Sequence, residues 1–250
     1  MTTSSIHDLE PQLAANRRYW CGWAGSAPDT DVPTYRTDIE QPLVNGVLRV
    51  RHQSLEAAVT QAKQLLDGAP WSWWVGSDSD PGTADGLLAQ GAVEFLDLLV
   101  MAVDVTTVSD VPAPADLKIV PVTGRAAMTD YVNAYAGPLG FTGDLSVVVD
   151  HELNFAYPDV VRLAGVVDGK TVGTCTLSLA NDVGALYCIA TDPHYRRRGI
   201  ATALTRRALS ITRDSGRRVA TLQASSEGEP VYQNIGFKTV DRYRLFHFPK

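Results

Sequence analysis

Tyr187-Cys188-Ile189-Ala190-Thr191-Asp192-Pro193-His194-Tyr195-Arg196-Arg197-Arg198-Gly199-Ile200-Ala201 is the stretch that decides the fold of this chain. It runs from an aliphatic strand through a short arginine-rich turn into a helix start that no Ser, Thr, Asp or Asn side chain caps. The first N–H groups of a helix have no internal partners and sit at the positive end of its dipole, so they can bind phosphate oxygens directly. Gly199 removes the side chain where the backbone must approach such an anion, and the arginines add charge-assisted hydrogen bonds. A pyrophosphate is the ligand this combination suits.

The flanking sequence supplies a frame for that turn. A helix is predicted from Gly199 to Arg213, because Ile200, Ala203, Leu204, Ala208 and Ile211 recur at helical spacing before Gly216. Upstream, a strand begins at Leu117, and helices are predicted over 124–135 and 145–155. Strands over 160–167 and 171–179 are joined by Asp168-Gly169, a dipeptide suited to the positive φ of a two-residue hairpin turn. A further strand covers 183–190. Strands over 218–224 and 237–248 enclose a short helix near 230–235. Close to the C-terminus stands Tyr232-Gln233-Asn234-Ile235-Gly236-Phe237.

From about Asp116 to Lys250 the chain resembles the GNAT (GCN5-related N-acetyltransferase) family. Arg196, Gly199 and Ala201 match its Arg/Gln-x-x-Gly-x-Gly/Ala signature, with the family's aliphatic strand and Pro193 ahead of it. Tyr232, Gly236 and Phe237 match its Tyr-x-x-x-Gly-Phe. The resemblance implies acetyl transfer from acetyl-CoA to an amine by direct attack, with no metal. It implies that backbone groups of Ile189, Ala190 and Thr191 meet the pantetheine. The amides of Arg197, Arg198, Gly199, Ile200, Ala201 and Thr202, with Arg196 beside them, would hold the pyrophosphate. Tyr232 is the candidate catalytic residue, a phenol able to protonate the departing thiolate. Where several family members carry a strand glutamate this chain has Ala185, so a base must come from elsewhere or through water. Asp150, His151, Glu152 and Glu227 are the candidates. Ser225 stands where many relatives have an asparagine that contacts the cofactor. The missing glutamate also motivates a second reading, a non-catalytic acyl-CoA sensor.

Bulk properties narrow the partners. The 250-residue chain is 45% hydrophobic with a net charge of −6, which fits a packed protein and repels polyanions. Nucleic acid is not expected as a partner, and a small-molecule amine or a peptide is. No apolar run approaches the ~18 residues that span a bilayer, and Met1 to Arg18 lacks a signal-peptide apolar core, so no membrane contact and a cytoplasmic location are expected. Three cysteines, Cys21, Cys175 and Cys188, show no metal-like spacing and read as reduced thiols. Cys188 reads as a small core residue and Trp71, Trp73 and Trp74 as core.

Asp110 to Asp116, with two prolines, is the most loop-like stretch, and a boundary is placed there between residues 1–112 and 113–250. Before it come a strand over 43–51, a helix capped by Ser54 and running to about Gly68, a strand over 72–75, a short helix over 83–90 and one or two strands over 93–105. Arg51 to Gly91 spans forty residues, as does Arg196 to Gly236, with elements of the same kind in the same order. Superposing the two puts Ser54 at Gly199, Glu56 at Ala201 and Leu87 at Tyr232. The helix keeps its apolar face and loses the chemistry, since a carboxylate repels pyrophosphate and leucine donates no proton. The fold expected is α+β, tandem GNAT-like domains, each a mixed, mostly antiparallel sheet flanked by helices, the first degenerate. An unrelated α/β domain with coincidental spacing is the other reading of the N-terminal half.

Overall fold

The Asp168-Gly169 turn, with φ of 50° and 80° at its two residues, closes a hairpin between β6 (Val160–Val167) and β7 (Lys170–Ala180). The structure is a computed structural model that describes residues 5–249. Met1–Ser4, at the head of the polar N-terminal stretch, and Lys250 lie outside it. Ahead of the hairpin come β5 (Lys118–Pro121), α4 (Gly124–Ala136) and α5 (Leu145–Leu153); after it come β8 (Val183–Thr191), α6 (Ile200–Asp214), β9 (Val219–Ala224), α7 (Glu229–Ile235) and β10 (Lys238–His247). The N-terminal half comprises α1 (Leu9–Ala24), β1 (Thr34–Tyr35), β2 (Gly46–Val47), α2 (Leu55–Leu65), β3 (Ser72–Val75), α3 (Thr83–Ala89) and β4 (Val93–Asp104).

All ten strands join one sheet, in the order β1-β2-β3-β10-β4-β9-β8-β7-β6-β5. Among the described residues only β2/β3 and β8/β9 run parallel. The halves exchange their last strands: β4 lies between β9 and β10, and β10 lies between β3 and β4. Along β4 side chains alternate, Met101 and Val103 packing with α6 and α7, Val100 and Ala102 on the face covered by α1, α4 and α5. Apolar residues of α2 and α3 pack with Phe246, on the α6 side of the sheet.

A pseudo-twofold axis runs between β4 and β10. Moving 145 positions along the chain takes Leu55, the start of α2, to Ile200, the start of α6, and Val93 to Lys238. Arg244 pairs with Asp97, and the same shift turns that pair into Leu99 with Arg242, which is also paired. The pair Phe246/Glu94 likewise becomes Thr239/Met101. The repeat seen as spacing is therefore a repeat of hydrogen-bond register.

Two departures from the sequence reading have local causes. The strand expected over 43–51 pairs only at Gly46–Val47, because Pro42–Val44 forms a 3-10 turn capped by Gln41 and the residues beyond Val47 bond to loops: Leu48 N–H to Pro33, Arg51 N–H to Asp31. Helix α1 was not expected at all. It buries Gln12, Asn16 and Arg17 alongside its apolar residues, so its inner face carries no clean apolar period. Among the described residues no helix is long and apolar enough to cross a membrane, and no three His, Cys, Asp or Glu side chains are grouped to hold a metal ion.

Candidate active site

The last register pair between β8 and β9 is Leu186 with Leu222. Beyond it β8 continues to Thr191 on β7 and β9 continues to Ala224 on β4, so the facing edges of Tyr187–Thr191 and Gln223–Ala224 part into an open wedge. Unpaired strand edges are exposed donors and acceptors ready to take up another extended chain. Three buried polar atoms without a partner among the described residues come from these same segments: Tyr187 hydroxyl, Thr191 Oγ1 and Gln223 Nε2. Buried polar groups are normally paired, and these three belong to the strand segments that run on past the last β8/β9 pair. Gln223 and Tyr187 were missed from sequence, where nothing marks the last residue at which two strands still pair.

Within the wedge β8 carries a bulge. Thr174 pairs with Ala190 and Thr176 with Tyr187, so Cys175 faces both Cys188 and Ile189. Cys188 adopts φ +47°, rare for a residue with a Cβ, and its carbonyl accepts a 2.7 Å bond from Thr174 Oγ1. The extra residue resets the alternation: Tyr187 and Cys188 both pack on the α1 side, while Leu186 and Ile189 pack on the α6 side. Cys188 lies 3.6 Å from the Tyr19 hydroxyl, and burial, then the Glu152 carboxylate, push its thiol up to about 12. It stays a protonated, half-buried thiol.

β8 leads through the 3-10 turn Pro193–Tyr195 and the arginines to the start of α6. Gly199 is its N-cap at φ +77°, no side chain caps it, and a Cβ added there would meet only Pro114, at 3.7 Å. Arg196, Arg197 and Gly199 are exposed, and Arg198 is paired with Asp116 of the linker. The Ile200 side chain is core, leaving its amide for the turn. A Cβ on Gly173 would lie 2.5 Å from Ile200 Cγ2, so that glycine lets α6 seat against β7 and fixes the height of its N-terminus. The residues present therefore fit a polyanion at the turn and an extended, amide-bearing arm in the wedge.

Tyr232 is buried on the α6 side, its ring edge-on to Phe237 at 5.9 Å. Burial, then the Cys175 thiol, hold its phenol well above the ordinary range. No hydrogen bond to its hydroxyl is found among the described residues. Ala185 is fully buried.

The four base candidates are dispersed. Asp150 is exposed and paired with Arg125 at 2.6 Å, and Glu227 is exposed. His151 presents both ring nitrogens to carbonyls, Nδ1 to Trp23 at 3.0 Å and Nε2 to Thr37 at 3.1 Å. Glu152 is buried, accepting from the Tyr135 hydroxyl at 2.9 Å and Arg162 Nε at 2.6 Å. Oε2 is thus held in an ion pair and Oε1 by a hydroxyl, the usual condition for burying a charge. Ser225 caps the turn into α7, its Oγ accepting from Gly228 N–H at 3.3 Å.

The N-terminal half has the same frame without the turn. Its parallel pair ends at Val47/Trp73, and from Val47 to the start of α2 is eight positions, against fourteen from Leu186 to the start of α6. The six missing residues correspond to the bulge and arginine turn. Past the parting point Asp78 is held in a buried ion pair by Arg17 of α1, with Arg49 beside it. Ser54 Oγ accepts from Ala57 N–H, and Glu56 lies in the first turn of α2, so this helix start is already capped and carries a negative charge.

Residues 161–239 match the acetyltransferase (GNAT) domain family. No curated protein matches the chain in sequence. A GCN5-related N-acetyltransferase from Kribbella flavida superposes over 98% of this chain and 97% of its own, with a TM-score of 0.72 and 14% identity. A GCN5-related N-acetyltransferase from Sphaerobacter thermophilus covers 77% of this chain and 65% of its own, at 0.56 and 21%. A tandem GNAT protein from the clavulanic acid biosynthesis pathway covers 76% and 68%, at 0.57 and 16%. At these identities the likeness is one of fold.

Proposed function

We propose that this chain, whose residues 161–239 carry a GNAT domain, moves an acetyl group from acetyl-CoA to an amine by direct attack. One observation supports this above the rest: β8 and β9 stop pairing after Leu186/Leu222, and β8 leads through the arginine turn into the N-terminus of α6, which no side chain caps. The amides of Arg197–Thr202, with the Arg196 guanidinium, hold the pyrophosphate. The backbone of Ile189–Thr191 meets the pantetheine on one side and Gln223 on the other. Attack on the thioester puts negative charge on its carbonyl oxygen, and the bulge at Cys188 releases a backbone N–H from the ladder to meet it. Tyr232 then protonates the departing thiolate. Its raised pKa makes that transfer uphill in the ligand-free molecule, so the step requires the phenol to be less apolar in its surroundings once the cosubstrate is seated. With Ala185 in place of a carboxylate, the amine sheds its proton to water.

The N-terminal half, residues 1–112, is in this reading a degenerate GNAT-like domain that completes the sheet and covers the α1 side of β8. The acceptor is a small-molecule or peptide amine met in the cytoplasm, and the net charge of −6 favours a cation. A second reading, an acyl-CoA sensor without turnover, draws on Ala185 and on Tyr19, whose ring stacks on Tyr187 at 3.6 Å. Screening an amine panel with acetyl-CoA for free thiol release separates the two. Release with any amine above the hydrolysis rate supports transfer; tight CoA binding with none supports the sensor.

A further inference from the structure

Thr174 lies on β7 and is fully buried. Its register partner on β8 is Ala190, yet its hydroxyl reaches past that pair and donates to the Cys188 carbonyl at 2.7 Å. Cys175, the next residue of β7, packs in the core on the α6 side, so Thr174 and Thr176 stand on the α1 side. The Thr176 hydroxyl pairs with Tyr131 at 2.8 Å, while that of Thr174 is spent on the backbone of the bulge.

A bulge gives one strand a residue more than its partner and disrupts the ladder locally. Neither Cys188 nor Ile189 has a register partner of its own, so the ladder does not settle which way the peptide between them turns. At Cys188 the backbone takes φ +47°, a costly conformation for a residue with a Cβ, and such a conformation persists only where its surroundings hold it. This peptide is trans, and in a trans peptide the C=O and the following N–H point in opposite directions. A hydroxyl that draws the Cys188 carbonyl to itself therefore turns the Ile189 N–H away from Thr174.

We propose that Thr174 is a positioning residue for acetyl transfer: its hydroxyl fixes the Cys188–Ile189 peptide so that the Ile189 N–H is aimed at the unpaired edge of β8, where the thioester oxygen gains charge. A donor aimed before the reaction begins needs no reorganisation as that charge appears. The role in transfer rests on the reaction proposed above; the hold on the bulge is a property of the chain itself.

The test compares Thr174→Val, which keeps the shape and loses the hydroxyl, with Thr174→Ser, which keeps the hydroxyl. Thr174→Ala, likewise without a hydroxyl, is read beside them. Thr221→Val is the control for losing a buried threonine hydroxyl, since Thr221 is also fully buried and donates to a neighbouring strand's carbonyl, that of Met101 at 3.2 Å, opposite Ala185 and outside the bulge. In the full-length chain without ligand, amide hydrogen exchange over 187–190 should speed at least ~10-fold in Thr174→Val and Thr174→Ala. Thr174→Ser and Thr221→Val should keep most of the protection. With an amine that supports thiol release, the valine and alanine variants should lose ~10²-fold in kcat while KM for acetyl-CoA barely moves. Thr174→Ser should recover most of that loss. Parental exchange in both variants that lack the hydroxyl would overturn the hold on the bulge. Faster exchange with parental kcat would overturn the role in transfer alone, as would equal losses in Thr174→Val and Thr221→Val. An unmodified chain that binds CoA and releases thiol with no amine would overturn the transfer reading, and the positioning role with it.

Discussion

Separating the chain at the 112/113 boundary should leave neither half folded as it stands in the whole. β4 belongs by sequence to the first half, yet it supplies the strand between β9 and β10 of the second, pairing with Val219–Ala224 on one edge and Lys238–His247 on the other. Five apolar side chains cross the boundary with it: Val100, Met101, Val103, Val105 and Val108, at 0, 0, 2, 1 and 9% exposure. Burial of each is worth about 1.5–3 kcal/mol, together about 8–15 kcal/mol as an upper bound. A typical domain has ~5–15 kcal/mol of net stability in total. The fragment 113–250 is therefore expected to lose fixed tertiary packing or to self-associate through the bared edges of β9 and β10. Co-expression with 1–112 should restore a one-to-one complex. Near-UV circular dichroism, sedimentation velocity and thermal melts measure this directly. A monomeric 113–250 fragment that unfolds cooperatively within about 3 °C of the whole chain would refute the reasoning, because β10 would then satisfy β9 without help.

Four further outcomes are expected. Gly199→Glu places bulk and charge at the φ +77° N-cap of α6 and should abolish acetyl-CoA binding by calorimetry, whereas Ser54→Glu should leave it intact; retained affinity in the glutamate-199 variant contradicts the phosphate-turn assignment. The same titration should give one site per chain, since the N-terminal half lacks six residues at the turn and holds the Arg17–Asp78 pair past its parting point; two equivalent sites count against that. Tyr232→Phe should lower turnover ~10²-fold with acetyl-CoA affinity and Tm nearly unchanged, and parental turnover across pH would make Tyr232 structural. The Lys170 ammonium, then the His194 N–H, hold the Asp192 carboxyl below the usual range, so its contribution is present above the ordinary aspartate pKa of ~3.9 and fades as pH falls through the depressed value. Asp192→Asn should therefore flatten the acid limb of stability below pH ~4, and an unchanged limb in urea melts would show that the pair does not act in the folded state.

What the residues alone determined were features built within a few positions of chain. Asp168-Gly169 can take two positive φ values at small cost, so the hairpin was legible. Gly199 without a capping side chain marked a bare helix start, and the apolar period of α6 set its length. Spacing also revealed the internal repeat, because both halves keep their apolar helix positions whatever their chemistry has become. The tertiary structure decided everything that depends on which strand lies beside which. Exchange of β4 and β10 cannot be read from either strand, since nothing in a strand's own residues names its neighbour. The bulge depends on a register set by β7, and it moves Cys188 to the face that simple alternation denies it. Glu152, a surface candidate by composition, is buried because Arg162 and Tyr135 arrive from other elements to neutralise and satisfy it. Gln223 acquires its place only where β8 and β9 part, a point fixed by long-range pairing and by no residue type.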